Sequence, residues 1–142
     1  MGSVLVGDAE FVERARRWRK VVGGGMRQAG IVAAAGIMAL EQHVERLAED
    51  HANALRLASG LVGIDGVDVD PRSVHTNMVF VSFPSGRVNA LVEFLGERGI
   101  LVSDMRPMRL VTHLDVNVAQ IDHVITCVTA FFEQATVRRA AG

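Results

Sequence analysis

The sequence predicts an α+β domain in which helices come first, followed by a small, mostly antiparallel sheet with helices on one face. Three observations carry that prediction. Apolar residues recur at helical spacing from Phe11 to Ala58. After Gly60 the chain changes to short β-branched runs, VDVD and MVFVSF among them, closed by proline and glycine. An amphipathic run returns from Val118 to Phe132.

SVLV, from Ser3 to Val6, is a short apolar run that ends at Gly7 and Asp8. Asp8 offers the side-chain acceptor of a helix N-cap, and Phe11, Val12 and Ala15 form the inward face of the helix that follows. That helix ends at Gly23, because glycine costs roughly 1 kcal/mol per residue in a helix interior and three stand in a row here. From about Gln28 an alanine-rich pattern resumes. Ile31, Ala34, Ala35 and Met38 share one side, and Val44, Leu47, Ala48, Leu55 and Ala58 continue the stripe. One unbroken helix of that length exceeds globular norms, so a bend is expected near Gln42 and His43.

Strands are expected over Val67 to Asp70, Met78 to Phe83, Ile100 to Ser103 and Met108 to Thr112. Between them, Val88, Leu91, Val92 and Leu95 define a helix from Arg87 to Arg98 that stops at Gly99. Val118, Ile121, Ile125, Val128 and Phe132 define the last helix, capped at Asp115 or Asn117.

At 142 residues the chain is about one domain, large enough to bury roughly two-thirds of its unfolded surface. Hydrophobic residues at 49% and charged residues at 22% exclude a disordered chain. A net charge of -1 and a pI near 6.5 exclude a generally nucleic-acid-like charge. No apolar run approaches the ~18 residues of a membrane span, and Met1 to Val6 lacks the pattern of a signal peptide. The single cysteine, Cys127, lies in an apolar periodic run and points to a buried residue in a reducing compartment. A cytoplasmic protein with neither nucleic acid nor membrane as partner is therefore expected.

Arg14, Arg16, Arg17, Arg19 and Lys20 crowd one helix beside Glu10 and Glu13, which reads as a solvated or intersubunit face. Gly25 and Gly30 have phosphate-loop spacing, but Ile31 and Val32 replace the Lys-Ser/Thr pair. What remains is a glycine-freed turn flanked by Lys20 and Arg27. It suits a bound anion and equally a plain helix-helix turn. Lys20 is the only lysine, so lysine chemistry uses it or comes from outside. His43, His51, His75 and His113 are scattered without the i, i+4 spacing of a helical zinc site, and no metal is expected. His51 falls on the apolar stripe, where a half-buried, hydrogen-bonded histidine is expected.

Four blocks, RRWRKVVGGGMRQAGIVAAAGIMALE, RLAEDHANALRLASGL, TNMVFV and MRLVTHLDV, together resemble the C-terminal portion of low-specificity L-threonine aldolases. These are pyridoxal-phosphate (PLP) enzymes of the aspartate-aminotransferase fold. The resemblance runs from Gly2 to about Phe132. It implies the C-terminal domain of a fold-type I PLP enzyme over 1–142, with 1–30 the end of the large-domain connection and 31–142 the small domain. It also implies a carbon-carbon lyase that cleaves L-threonine or L-allo-threonine to glycine and acetaldehyde.

Cleavage of a β-hydroxy-α-amino acid needs the Cα–Cβ bond held perpendicular to the PLP ring, so the substrate carboxylate must be clamped. The planar arginine fork does this best. The resemblance makes Arg109 that clamp, against the alternative of an ordinary strand-end arginine. It places Lys20 and Arg27 in the active-site vicinity, near the PLP phosphate or across a subunit boundary, with a structural salt bridge as the alternative for each.

In the family the Schiff-base lysine lies in a Ser-Lys-Gly loop about seven residues before the pair that is here Gly2 and Ser3. The resemblance thus implies no catalytic residue in this chain, no retention of PLP by it alone, and completion by an N-terminal PLP domain. A homo-oligomer, tetrameric in the family, is implied as well. The alternative is a non-catalytic interaction or oligomerisation domain. Exposed apolar surface from Gln28 to Met38, and with it self-association, is expected.

Overall fold

The computed structural model describes residues 3–140, with side-chain surroundings through residue 134. Gly2, where the resemblance begins, lies outside the described residues. The chain divides into two compact units, Met1–Glu45 and Arg46–Gly142.

In the first unit, helix α1 spans Ala9–Val21, and the Asp8 carboxylate accepts the Phe11 N–H at 2.7 Å, as the N-cap reading expects. Its end explains the first two of the three glycines. Gly23 takes φ +86°, and its N–H donates to the Lys20 carbonyl at 3.1 Å while that of Gly24 donates to the Arg19 carbonyl at 2.7 Å. This paired closure satisfies two orphan carbonyls and needs a left-handed residue just past the helix. A Cβ on Gly24 would stand 2.9 Å from the Arg19 carbonyl oxygen, and one on Gly25 would stand 3.0 Å from Lys20 Nζ. Gly23 and Gly24 therefore each meet a backbone requirement, whereas the Lys20 side chain can move away from Gly25.

Helix α2 spans Gly30–Met38 and runs into a π-helical stretch over Ala39–His43, followed by a turn at 44–46. The break expected near Gln42 and His43 is there. No described residue of 3–45 is buried. The inward face expected of α1 is only partly realised, with Phe11 40% exposed.

The second unit holds a core. Helix α3, Leu47–Leu61, buries Asp50, Asn53, Ala54, Leu57, Ala58 and Leu61. This corrects the stripe expected from apolar letters, of which Leu47 and Leu55 are 44% and 48% exposed. Two of the inward positions are polar, so counting apolar residues alone rotates the face. His51, expected half-buried, is exposed for the same reason.

Strand β1, Met78–Val81, pairs antiparallel with β2, Met108–Val111, in the register Val79 to Leu110 and Phe80 to Arg109. Two expected strands do not form. Val67 to Asp70 contributes only the bridge between Asp68 and Ser82, because the Asp70 side chain turns to cap the short 3-10 helix Pro71–Ser73. Ile100 donates its N–H to the Leu95 carbonyl at 3.0 Å, beside Gly99 at φ +75°. The closure of helix α4, Val88–Gly96, thereby takes the donor that a strand at Ile100 would need.

Helix α5 spans Val118–Ala140. Asn117 caps it, not Asp115: its side chain accepts the Gln120 N–H at 3.0 Å while Gln120 accepts the Asn117 N–H at 2.9 Å. Val79, Val81 and Met108 turn one face of the sheet toward Leu57, Leu61, Leu91, Leu95, Ile121, Val128 and Phe132 of the helices. The other face carries Met78, Phe80, Arg109 and Val111, all exposed. Gly60 has no side chain to hold α5 away, since a Cβ there would run into Ile125.

Candidate functional site

The outer face of the sheet joins three apolar side chains to a single guanidinium. Strand alternation sends Leu110 and Met108 inward and leaves Arg109 outward, paired across the ladder with Phe80, which is 52% exposed. Among the described residues the Arg109 side chain makes no ion pair or hydrogen bond. It is a cation available to a ligand.

Arg109 also lines a groove of about 770 Å³ between residues 98–103, β2 and the start of α5. The ionisable residues along it are Arg98, Arg109, His113 and His123, all basic, and Leu101 and Val124 add apolar wall. Arg98 is engaged, its guanidinium 3.5 Å from the Phe94 ring centre and bonded to the Phe94 carbonyl at 2.7 Å. His113 is turned onto its own loop, with Nδ1 accepting the Asp115 N–H at 3.3 Å. Arg109 remains. A carboxylate on an apolar body is the ligand chemistry such a groove favours.

Lys20 and Arg27 stand in the first unit, Lys20 in the last turn of α1 and Arg27 in the loop before α2. Arg14 and Arg16 sit 3.9 and 3.6 Å from Glu10 and Glu13, so part of the basic cluster is a solvated, self-paired face. Neither Lys20 nor Arg27 makes an ion pair among the described residues.

Sequence reasoning missed the polar anchors behind Arg109. The Asp50 carboxylate is held by both Arg46 nitrogens at 3.1 and 3.2 Å, and the Asp50 carbonyl accepts the Thr112 hydroxyl at 2.6 Å. Asn77 and Thr112 exchange two further bonds, at 2.8 and 3.0 Å. Asn53 reaches the Val116 carbonyl at 3.2 Å. Arg46 and Asp50 at i, i+4 were the available signal. The contact between the Cys127 sulfur and the His123 ring, 3.7 Å, also lies at that spacing.

Among the described residues no three His, Cys, Asp or Glu side chains gather as a metal would need, and no helix is long and apolar enough to cross a membrane.

The family model described as beta-eliminating lyase matches residues 1–84. The chain belongs to the beta-eliminating lyase family. Within that lyase family it is 46% identical over 133 residues to the low specificity L-threonine aldolase of Escherichia coli (strain K12), covering 92% of this chain and 38% of that protein. It is 37% identical over 140 residues to low-specificity L-threonine aldolase 1 of Arabidopsis thaliana, covering 95% of this chain and 38% of that protein. The chain thus spans 38% of the length of these curated relatives.

An aminotransferase from Streptoalloteichus hindustanus superposes with a TM-score of 0.52 over 63% of this chain and 32% of that one, at 18% identity. That likeness shows the fold alone, and it agrees with the α+β class. The lyase match includes Lys20 and Arg27, whereas Arg109 falls beyond it. A match to the bacterial aldolase over 92% of the chain necessarily includes Arg109.

Proposed function

We propose that this chain is the C-terminal part of a PLP-dependent threonine aldolase which, completed by an N-terminal PLP domain, cleaves L-threonine or L-allo-threonine to glycine and acetaldehyde. The observation that carries this reading is the similarity to threonine aldolases across 92% of the chain. The free Arg109 on an apolar sheet face supports it from the structure. Residues 1–30 lead out of the large domain in this reading, and 31–142 form the small domain.

Arg109 binds the substrate carboxylate through two parallel N–H donors, which fixes the rotation about the bond to Cα and so presents Cα–Cβ for cleavage. Met78, Phe80 and Val111 around it are exposed apolar surface, on which the N-terminal domain would close to exclude water and strengthen the ion pair. Lys20 and Arg27 would hold the cofactor's phosphate side, from this subunit or an adjacent one. PLP, when bound, supplies the electron sink for the pair released as the carbon-carbon bond breaks. The acceptor of the β-hydroxyl proton and the Schiff-base lysine belong to the N-terminal domain. The chain alone therefore retains no PLP. A cytoplasmic homo-oligomer completes the proposal.

A second reading has one observation in its favour. Helix α2, GIVAAAGIM, is apolar all round and unburied, as an interaction domain would leave it. Kinetics of the chain joined to the N-terminal portion of its Escherichia coli relative decide. The aldolase reading expects threonine cleavage, with kcat/KM about 100-fold lower in Arg109→Ala, the loss typical of truncating one partner of a desolvated charge pair. Cleavage that Arg109→Ala leaves unchanged removes the clamp, and no cleavage at all favours the interaction domain.

A further inference from the structure

We propose that Thr112 is a positioning residue for Arg109, fixing the strand that carries the guanidinium to helix α3 through the Asp50 carbonyl; this rests on Arg109 being the carboxylate clamp. Strand β2 is four residues long and has one ladder neighbour, β1. Before it, among the described residues, 100–107 pair with no strand. Beyond the β1 ladder and the buried Met108, the hydrogen bond that ties β2 to α3 lies at its C-terminal end.

Thr112 occupies that end, 1% exposed, and uses every polar group it has. Its hydroxyl donates to the Asp50 carbonyl at 2.6 Å, its N–H donates to the Asn77 carbonyl at 3.0 Å, and its carbonyl accepts the Asn77 side-chain amide at 2.8 Å. The Asp50 end is itself fixed. Asp50 is 3% exposed, and its carboxylate sits in the Arg46 fork. The residues of this node come from the RLAEDH, TNMVFV and MRLVTH segments, far apart in sequence.

Thr112 borders the same groove as Arg109, but it is 1% exposed and its hydroxyl is committed to the Asp50 carbonyl, which leaves it no group to offer a substrate. Strand alternation puts its side chain on the core face and that of Arg109 on the outer one. It acts on where Arg109 stands, about 10 Å along the same strand. A two-donor fork tolerates little displacement, so loss of the hydroxyl is felt at the carboxylate.

The enzyme joined to the N-terminal portion of the Escherichia coli relative tests this through a double-mutant cycle. Thr112→Val keeps the shape, and the Asp50 carbonyl keeps its helical partner, so the variant is expected to fold. It should lower kcat/KM for L-threonine about tenfold, and Thr112→Ser should restore it. On L-threonine amide, which has no carboxylate, Thr112→Val should have no effect. In the Arg109→Ala background it should cost nothing further, because the two residues act as one. Equal losses in both backgrounds, or on both substrates, would mean a merely structural role and overturn the proposal.

If Arg109→Ala alone leaves kcat/KM unchanged, the clamp reading fails first and takes this proposal with it. If Arg109→Ala acts and Thr112→Val does not, this proposal fails alone. Should Arg109→Ala fall below detection, amide exchange over Arg109 to Val111 decides. About tenfold acceleration in Thr112→Val, reversed in Thr112→Ser, supports the anchor, and unchanged exchange overturns it.

Discussion

Helices α2 and α3 are both rich in alanine and leucine-like residues, yet α3 buries Ala54, Leu57, Ala58 and Leu61 while α2 buries nothing. The unit that contains α3 has strands and two further helices to close over it. The unit of α2 has α1 and two loops, and Ile31 is 87% exposed. The contrast separates two things a sequence encodes. Where a helix begins and ends is local, set in α1 by the Asp8 cap and the Gly23 to Gly25 closure. What covers it is not. In the aldolase reading, the cover for α2 comes from the N-terminal portion and from other subunits.

The largest effect expected of this contrast is in the second unit. Leu91→Ala, at a fully buried position, should lower stability by about 2–5 kcal/mol in a cooperative denaturant transition. Ile37→Ala in the first unit should leave that transition unmoved. A comparable loss from both would break the distinction between the units. Next in size, Asp8→Ala should cost about 1 kcal/mol of α1 helicity, read as lost circular dichroism without a shift of the main transition.

Ile31→Glu sharpens the contrast from the other side. It should leave folding within about 0.5 kcal/mol and reduce self-association in light scattering, because the side chain it replaces is exposed. Unchanged self-association would place the sticky surface elsewhere.

The smallest effect is electrostatic. Arg56 reaches Asp122 through two bonds, 2.6 and 2.9 Å, and that hydrogen bonding holds the Asp122 carboxyl below its ordinary 3.8. A depressed folded value means stabilisation present above the ordinary value and lost as pH falls through the folded one. Arg56→Gln should therefore flatten the fall in melting temperature as the pH drops below the ordinary carboxylate range. An equally steep acid limb in the variant would show that the bridge contributes nothing there.

Much of this was legible in the residues, and the exceptions have physical causes. Caps and glycine stops were read at Asp8, Gly23 and Gly99 because the signal and its partner lie within a few residues. The buried face of α3 was misread because Asp50 and Asn53 belong to it, and polar letters do not announce burial. Val67 to Asp70 and Ile100 to Ser103 have strand composition, yet neighbouring caps consume their backbone and side-chain partners. At the proposed site, Arg109 enters as the clamp candidate through resemblance alone. The free state of its guanidinium and the Thr112 anchor required the pairing of distant segments.

Glycine formation from L-threonine tests the central claim most directly, measured for the purified chain alone, for a separately made N-terminal portion of the Escherichia coli relative alone, and for the two combined with PLP. The account predicts glycine and acetaldehyde in equal amounts only from the combination, with slowed amide exchange across α1 and α2. Products from the chain by itself, or a combination that yields none and leaves that exchange unchanged, would contradict it.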